Sequence, residues 1–143
     1  MSMDKRSLGK TGTTVTAIGL GGMPLSLRGR PDEPQAEAVI RAFIDGGGDF
    51  IDTANVYCMD THDLGHNERL IGNALRRLGR QHSALVGTKG GLTKEGSGWD
   101  VNGTPAWLRR SCECSLVDLG VERIFLYQLH APDPSVPFAD SVV

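Results

Sequence analysis

The sequence has no run approaching the roughly 18 consecutive apolar residues of a membrane-spanning helix, so no membrane partner is expected. It has no basic excess either. Fifteen Lys and Arg stand against 17 Asp and Glu in 143 residues, a formal net charge of -2. With no basic stripe, nucleic acid is not an expected partner. The opening "MSMDKRSLGK" carries charge with no apolar core after it, so it does not read as a signal peptide and the expected location is cytoplasmic. Three cysteines, an odd number, provide no disulfide framework. Cys112 and Cys114 are two apart on an expected helix, about 200° around its axis, so they do not face one metal. Cys58 has nothing beside it in sequence that marks an activated thiolate. Low-complexity tracts and letter-level repeats are absent. The length fits one domain, residues 1–143.

What is present is an alternation. Four short apolar runs, "TAIGLGG" (16–22), "GDFIDTA" (48–54), "SALVGTK" (83–89) and "RIFLYQLH" (123–130), are apolar on successive residues. Strands covered on both faces, as in a parallel sheet, read this way. Between them lie segments with helical spacing. Ala36, Val39, Ile40, Phe43 and Ile44 form one stripe, with Asp32 as N-cap, Gln35 at the capping-box position and Gly46 to Gly48 as the stop. Leu70, Ile71, Ala74, Leu75 and Leu78 form a second, with Asn67 as the expected cap, Glu68 at the positive end and Gly79 closing. A third opens on Thr104 and Pro105, buries Leu108, Cys112, Leu116 and Leu119, and closes at Gly120. A fourth starts after "APDPSVP" with Phe138, Ala139, Val142 and Val143. Ahead of the first run, "RSLGKTGTTVTAI" reads as a hairpin turning at Lys10 to Gly12.

The order β-α-β-α-β-α-β-(α) fits an open doubly wound sheet or part of a (β/α)8 barrel. The first needs a glycine fingerprint after strand one. The candidate "GLGGMP" (19–24) has Pro24 where the last glycine belongs, so these glycines are expected to serve close backbone turns. The barrel demands chemistry at the C-terminal strand ends. Strand two ends at Asp52, with Tyr57 in the following loop; strand three ends at Lys89 and strand four at His130. Each has an ordinary reading alone: a loop cap, a rim aromatic, a solvated strand end, a polar stop. Together they suit proton delivery to a carbonyl oxygen as a hydride reaches its carbon. A free phenol titrates near 10, and a neighbouring ammonium favours its phenolate. Lys89 supplies the ammonium, Asp52 holds it, and His130 donates a hydrogen bond or relays a proton. His62 and His66, with Cys58 or Asp63, lack a helical frame across Gly65, so no metal is expected. Trp99, in an expected glycine-rich loop (95–103), either lines a pocket or pins that loop; Trp107 is expected to pack.

The stretches "DTANVY" (52–57), "GHNERLIGNAL" (65–75), "TKGG" (88–91) and "YQLHAPDP" (127–134) resemble the aldo-keto reductases. The resemblance covers essentially the whole chain and the front half of that family's barrel. It implies an α/β fold: parallel (β/α) units forming the first half of a TIM-type (β/α)8 barrel, behind a short N-terminal β-hairpin. It implies NADPH-dependent reduction of a small-molecule aldehyde or ketone, with Tyr57 as general acid, Lys89 and Asp52 tuning it, and His130 orienting the substrate. Gly22, Met23 and Asp52 fall where that family meets NADP(H). The family holds most of the cofactor with the barrel half that has no counterpart here. The alternative expectation is therefore a catalytically silent half-barrel or interaction module. A chain end inside the fourth helix points to truncation, and the open half-barrel edges point to self-association.

Overall fold

The computed structural model describes residues 3–142. An antiparallel hairpin comes first, β1 (Lys5–Ser7) and β2 (Thr14–Thr16), joined across the expected turn. Then follow β3 (Leu20–Gly21), α1 (Glu33–Asp45), β4 (Phe50–Asp52), α2 (His66–Arg77) and β5 (Leu85–Gly90). A second hairpin, β6 (Leu92–Glu95) and β7 (Gly98–Val101), precedes α3 (Pro105–Leu119), β8 (Leu126–Leu129) and α4 (Phe138–Ser141). The four expected parallel strands are all found, shorter than their apolar runs. Val143, the last apolar position expected in the fourth helix, lies outside the described residues.

Topology separates the two architectures. The parallel sheet runs β3-β4-β5-β8, with sequence order and spatial order identical. Right-handed crossovers along a sheet that never reverses put every connecting helix on one face. A doubly wound sheet needs a reversal of strand order, and that reversal makes its ligand crevice. Here α1 contacts α2 and α2 contacts α3 in succession. The sheet thus has a helix-covered face and an inner face. Strand alternation assigns the residues: Ile51 is fully buried, while Phe50 and Asp52, one step either side, are half-buried. Leu20, Ile51 and Val86 join Ala36, Ile40, Ile71 and Ala74 in the core under the helices.

Helix ends follow local chemistry in two cases. The Asp32 carboxylate accepts from the Gln35 N–H at 2.9 Å, and Thr104 Oγ1 accepts from the Trp107 N–H at 3.4 Å ahead of Pro105. Gly120 closes α3 with φ +68, a conformation that Gly adopts without steric cost. Three expectations are corrected. Helix α2 starts one residue earlier, behind Gly65 (φ +74), so Asn67 is inside the first turn and caps nothing. Glu68 lies in the first turn of α2, at the positive end as expected, and like Asn67 it is fully buried. The segment 95–103 is largely the β6–β7 hairpin rather than a loop. On α3 the buried positions beside Leu108 and Leu119 are Ser111 and Ser115, while Cys112 and Leu116 are only half-buried, because α3 packs on the polar start of α2.

Candidate active site

The sheet brings the four expected residues to one end. Asp52 is the last residue of β4, Lys89 is next to last in β5, and His130 directly follows β8. Tyr57 sits in the loop after β4, where Tyr57 N–H donates to the Ala54 carbonyl at 3.2 Å. Lys89 is the hub. Its Nζ donates to Asp52 Oδ2 at 2.6 Å, to the Thr53 carbonyl at 2.8 Å and to Tyr57 Oη at 3.0 Å. The Lys89 side chain is 14% exposed and that of Asp52 33%, so the ion pair opens toward solvent on the carboxylate side. The His130 ring meets the Tyr57 ring edge-on, centroids 5.6 Å apart.

His130 is held by its backbone, whose N–H donates to the Gly90 carbonyl at 2.8 Å. Burial pushes its pKa below the ordinary histidine value and the Lys89 charge pushes the same way, with Asp52 opposing. The ring is therefore neutral at pH 7, with one nitrogen donating and the other accepting. Its Nδ1 is buried without a hydrogen-bond partner. The Cys58 thiol next to Tyr57 is a different case. Burial lifts it to about 11, and Sγ donates to the Val56 carbonyl at 3.4 Å, so it is a packed thiol and no nucleophile.

Gly22 directly follows β3. Its N–H donates to the Asp52 carbonyl at 2.8 Å and its carbonyl accepts from Asn67 Nδ2 at 2.7 Å. A Cβ there would collide with Asn67 Oδ1 and come within 2.9 Å of Ile71 Cδ1. The glycine thus serves a close backbone approach, as expected. Met23, next to it, is 41% exposed. Two surface depressions, one bordered by Arg41 and Arg80 and the other by Lys5, Asp49 and His82, touch none of these residues.

Several residues around the site were not read as contributors to it from the sequence. Asn67 accepts from Thr53 Oγ1 (2.6 Å) and donates to Gly22 O and to Ser26 Oγ (both 2.7 Å), tying the loops after β3 and β4 together. Its position before an apolar stripe gave the signal for a cap instead. Glu68 Oε1 accepts from Thr88 Oγ1 at 2.5 Å, directly behind Lys89, while its Oε2 has no partner. Burial lifts this carboxyl to about 7, with Thr88 and the nearby Ser115 hydroxyl opposing. Gln128, a lone amide in an apolar run two residues before His130, reaches Asp52 Oδ1 at 3.3 Å. Trp99 resolves to a pin: its indole N–H donates to the Val56 carbonyl at 3.2 Å, and Lys94 Nζ lies 4.6 Å from the ring centroid. Trp107 donates to the Leu92 carbonyl at 3.4 Å. His66 is bound to Ser26 Oγ through Nδ1 at 2.7 Å, and among the described residues no His, Cys, Asp and Glu gather as a metal set. No helix of the described residues is long and apolar enough to cross a membrane.

The sequence matches the profile of the Aldo/keto reductase family over residues 17–142. It is 36% identical over 140 residues to "Probable aldo-keto reductase 1" of Glycine max, covering 94% of this chain and 38% of that protein. Its structure is similar to the holo form of aldo-keto reductase AKR11C1 from Bacillus halodurans, at 30% identity and a TM-score of 0.83, covering 98% of this chain and 44% of that one. It is also similar to glycerol dehydrogenase AKR11B4 from Gluconobacter oxydans, at 32% identity and a TM-score of 0.80, covering 99% of this chain and 43% of that one. The chain thus spans less than half the length of these relatives, in keeping with four (β/α) units of a TIM-type barrel. Sequence and fold agree that this chain belongs to the aldo/keto reductase family.

Proposed function

We propose that this chain carries the proton-transfer face of an NADPH-dependent carbonyl reductase. The observation that carries the reading is the Lys89 ammonium bonded at once to Asp52 and to Tyr57 Oη on the inner face of neighbouring strands. Tyr57 Oη–H donates its proton to the carbonyl oxygen of a bound aldehyde or ketone as the carbonyl carbon is reduced. The phenolate left behind faces Lys89 at 3.0 Å, and this fixed positive charge stabilises it more than it stabilises the neutral phenol. Asp52 keeps the ammonium in place and balances its charge. His130, neutral and beside the Tyr57 ring, orients the carbonyl oxygen by donating an N–H. As a neutral ring with a depressed pKa it does not compete as the acid.

A nicotinamide cofactor, when bound, supplies the hydride. The residues present fit one wall of such a group. The exposed side of Asp52 and the exposed Met23 beside Gly22 are the groups that would hold it. Titration with NADPH, followed by its fluorescence, and absorbance at the reduced-nicotinamide band during aldehyde addition test the reading. NADPH consumption that depends on the aldehyde is expected from the protein that carries this chain. Consumption that is absent, or independent of aldehyde, overturns it.

A second reading is favoured by the share of its relatives that the chain spans, 38–44%. In it, these 143 residues are silent alone and act only when a complementary half, or a second copy pairing with the open edges of β3 and β8, closes the sheet. The isolated chain then binds NADPH weakly or not at all and self-associates. A monodisperse monomer in light scattering counts against the pairing.

A further inference from the structure

The three protons of the Lys89 ammonium are matched by three acceptors, Asp52 Oδ2, the Thr53 carbonyl and Tyr57 Oη. That set secures one oxygen of Asp52 only. A carboxylate turns about a broad, roughly two-fold torsion, so a single bond leaves its plane free and lets either oxygen face the ammonium. The second oxygen, Oδ1, is taken by Gln128 Nε2 at 3.3 Å. Gln128 stands opposite Lys89 in the parallel β5–β8 register, so both side chains point to the inner face. Asp52 stands opposite Gly87, also on that face. The path from Gln128 to Asp52 therefore crosses Gly87. A Cβ at Gly87 would lie 3.5 Å from Gln128 Nε2 and 3.3 Å from Phe50 Cζ. The Gly87 backbone does not require glycine, since its φ is not positive. At 3.5 Å such a methyl would touch the amide without displacing it; only the Phe50 contact is tight. The donor is chemically apt: an amide donates to the carboxylate without bringing a charge to rival Lys89.

We propose that Gln128 is a positioning residue: by holding Asp52 Oδ1 across the inner face of β5, it fixes the carboxylate plane that aims Lys89 Nζ at Tyr57 Oη. This rests on the roles given above to Asp52, Lys89 and Tyr57. Gln128 exchanges no proton and touches no reacting atom. Its loss frees the Asp52 carboxylate, and the ammonium spends less time on the phenol oxygen.

The test compares Gln128→Met, which keeps volume and removes the donor, with Gln128→Asn, which keeps the amide but falls a methylene short. Both are read in the full chain, alone and with Asp52→Asn. Proton exchange of the Lys89 ammonium by NMR needs no turnover. NADPH-dependent reduction of 4-nitrobenzaldehyde gives kcat and KM. Both variants are expected to exchange the Lys89 protons about tenfold faster and to lose about tenfold in kcat. KM should stay within about twofold, and neither variant should have a further effect once Asp52 is Asn. Unchanged Lys89 exchange in both variants overturns the proposal, as does a kcat loss of equal size in the Asp52→Asn background. Faster exchange in a protein that reduces no aldehyde retains the positioning and removes the reductase reading. Unchanged exchange and kcat in an active enzyme do the reverse.

Discussion

Glu68 is a fully buried carboxyl that the proposed chemistry does not use, and it sets a pH dependence of stability. One of its oxygens accepts from Thr88 and the other has no hydrogen-bond partner. Burial lifts its pKa from 4.5 to about 7, against the lowering effect of the Thr88 hydrogen bond. A raised carboxyl pKa means that the folded chain binds the proton more tightly than the unfolded chain. The stabilisation is fully present below about 4.5 and is lost as the pH climbs through about 7. At about 1.36 kcal/mol per pH unit, a gap of about 2.5 units amounts to roughly 3 kcal/mol between pH 4.5 and pH 8. Glu68→Gln keeps an acceptor for Thr88 and never ionises. Urea unfolding followed by tryptophan fluorescence, run in parallel on both proteins from pH 4.5 to 8, measures the difference directly. His66 and His130, whose pKa values are lowered chiefly by burial, act with the opposite sign below the ordinary histidine pKa. Their contribution is common to both proteins and cancels in the comparison. Near pH 4.5 the two proteins should match; by pH 8 the Gln variant should be the more stable by about 3 kcal/mol. A difference that stays flat across the range refutes the reasoning.

Three further substitutions test the frame around the site. Asn67→Leu leaves Thr53 Oγ1, the Gly22 carbonyl and Ser26 Oγ without their shared partner; a loss of about 3 kcal/mol in urea unfolding is expected, and a loss below about 0.5 would return Asn67 to a surface role. Gly22→Ala drives a methyl against Asn67 Oδ1 and Ile71 and should cost about 1–3 kcal/mol by the same assay; a neutral result would show that the loop after β3 gives way freely. Trp99→Phe removes the bond to the Val56 carbonyl. It should cost about 1 kcal/mol and speed proteolytic cleavage in the β6–β7 hairpin; unaltered cleavage would mean that the indole pins nothing.

The readable parts of this chain were those governed by local chemistry. Asp32 before Gln35 and Thr104 before Pro105 announce helix starts because the cap is made within four residues. Asp52, Lys89 and His130 each have an ordinary reading alone and stood out because three successive apolar strands deliver a titratable group at the same end. Asn67 was misread as a cap, and the burial of Glu68 was not legible, because their partners are 14 to 45 residues away in sequence, on three different loops and strands. From sequence, polar residues before an apolar stripe look like a first turn facing water. The β6–β7 hairpin was hidden for another reason: "LTKE" and "GWDV" carry little alternation, and the strands are fixed by pairing and by Trp99 reaching the Tyr57 loop. Gln128 could have been noticed, since it shares an inward face with His130 by simple alternation along "YQLH".

The most direct measurement of the central assignment is the turnover of Tyr57→Phe beside its affinity for NADPH. The substitution removes the proton donor and leaves Lys89, Asp52 and His130 in place. Aldehyde reduction should fall by about 10²- to 10⁴-fold, the share that a positioned acid supplies, while the NADPH titration curve stays where it was. A Phe variant that still reduces the aldehyde at the parent rate would show that the proton comes from elsewhere.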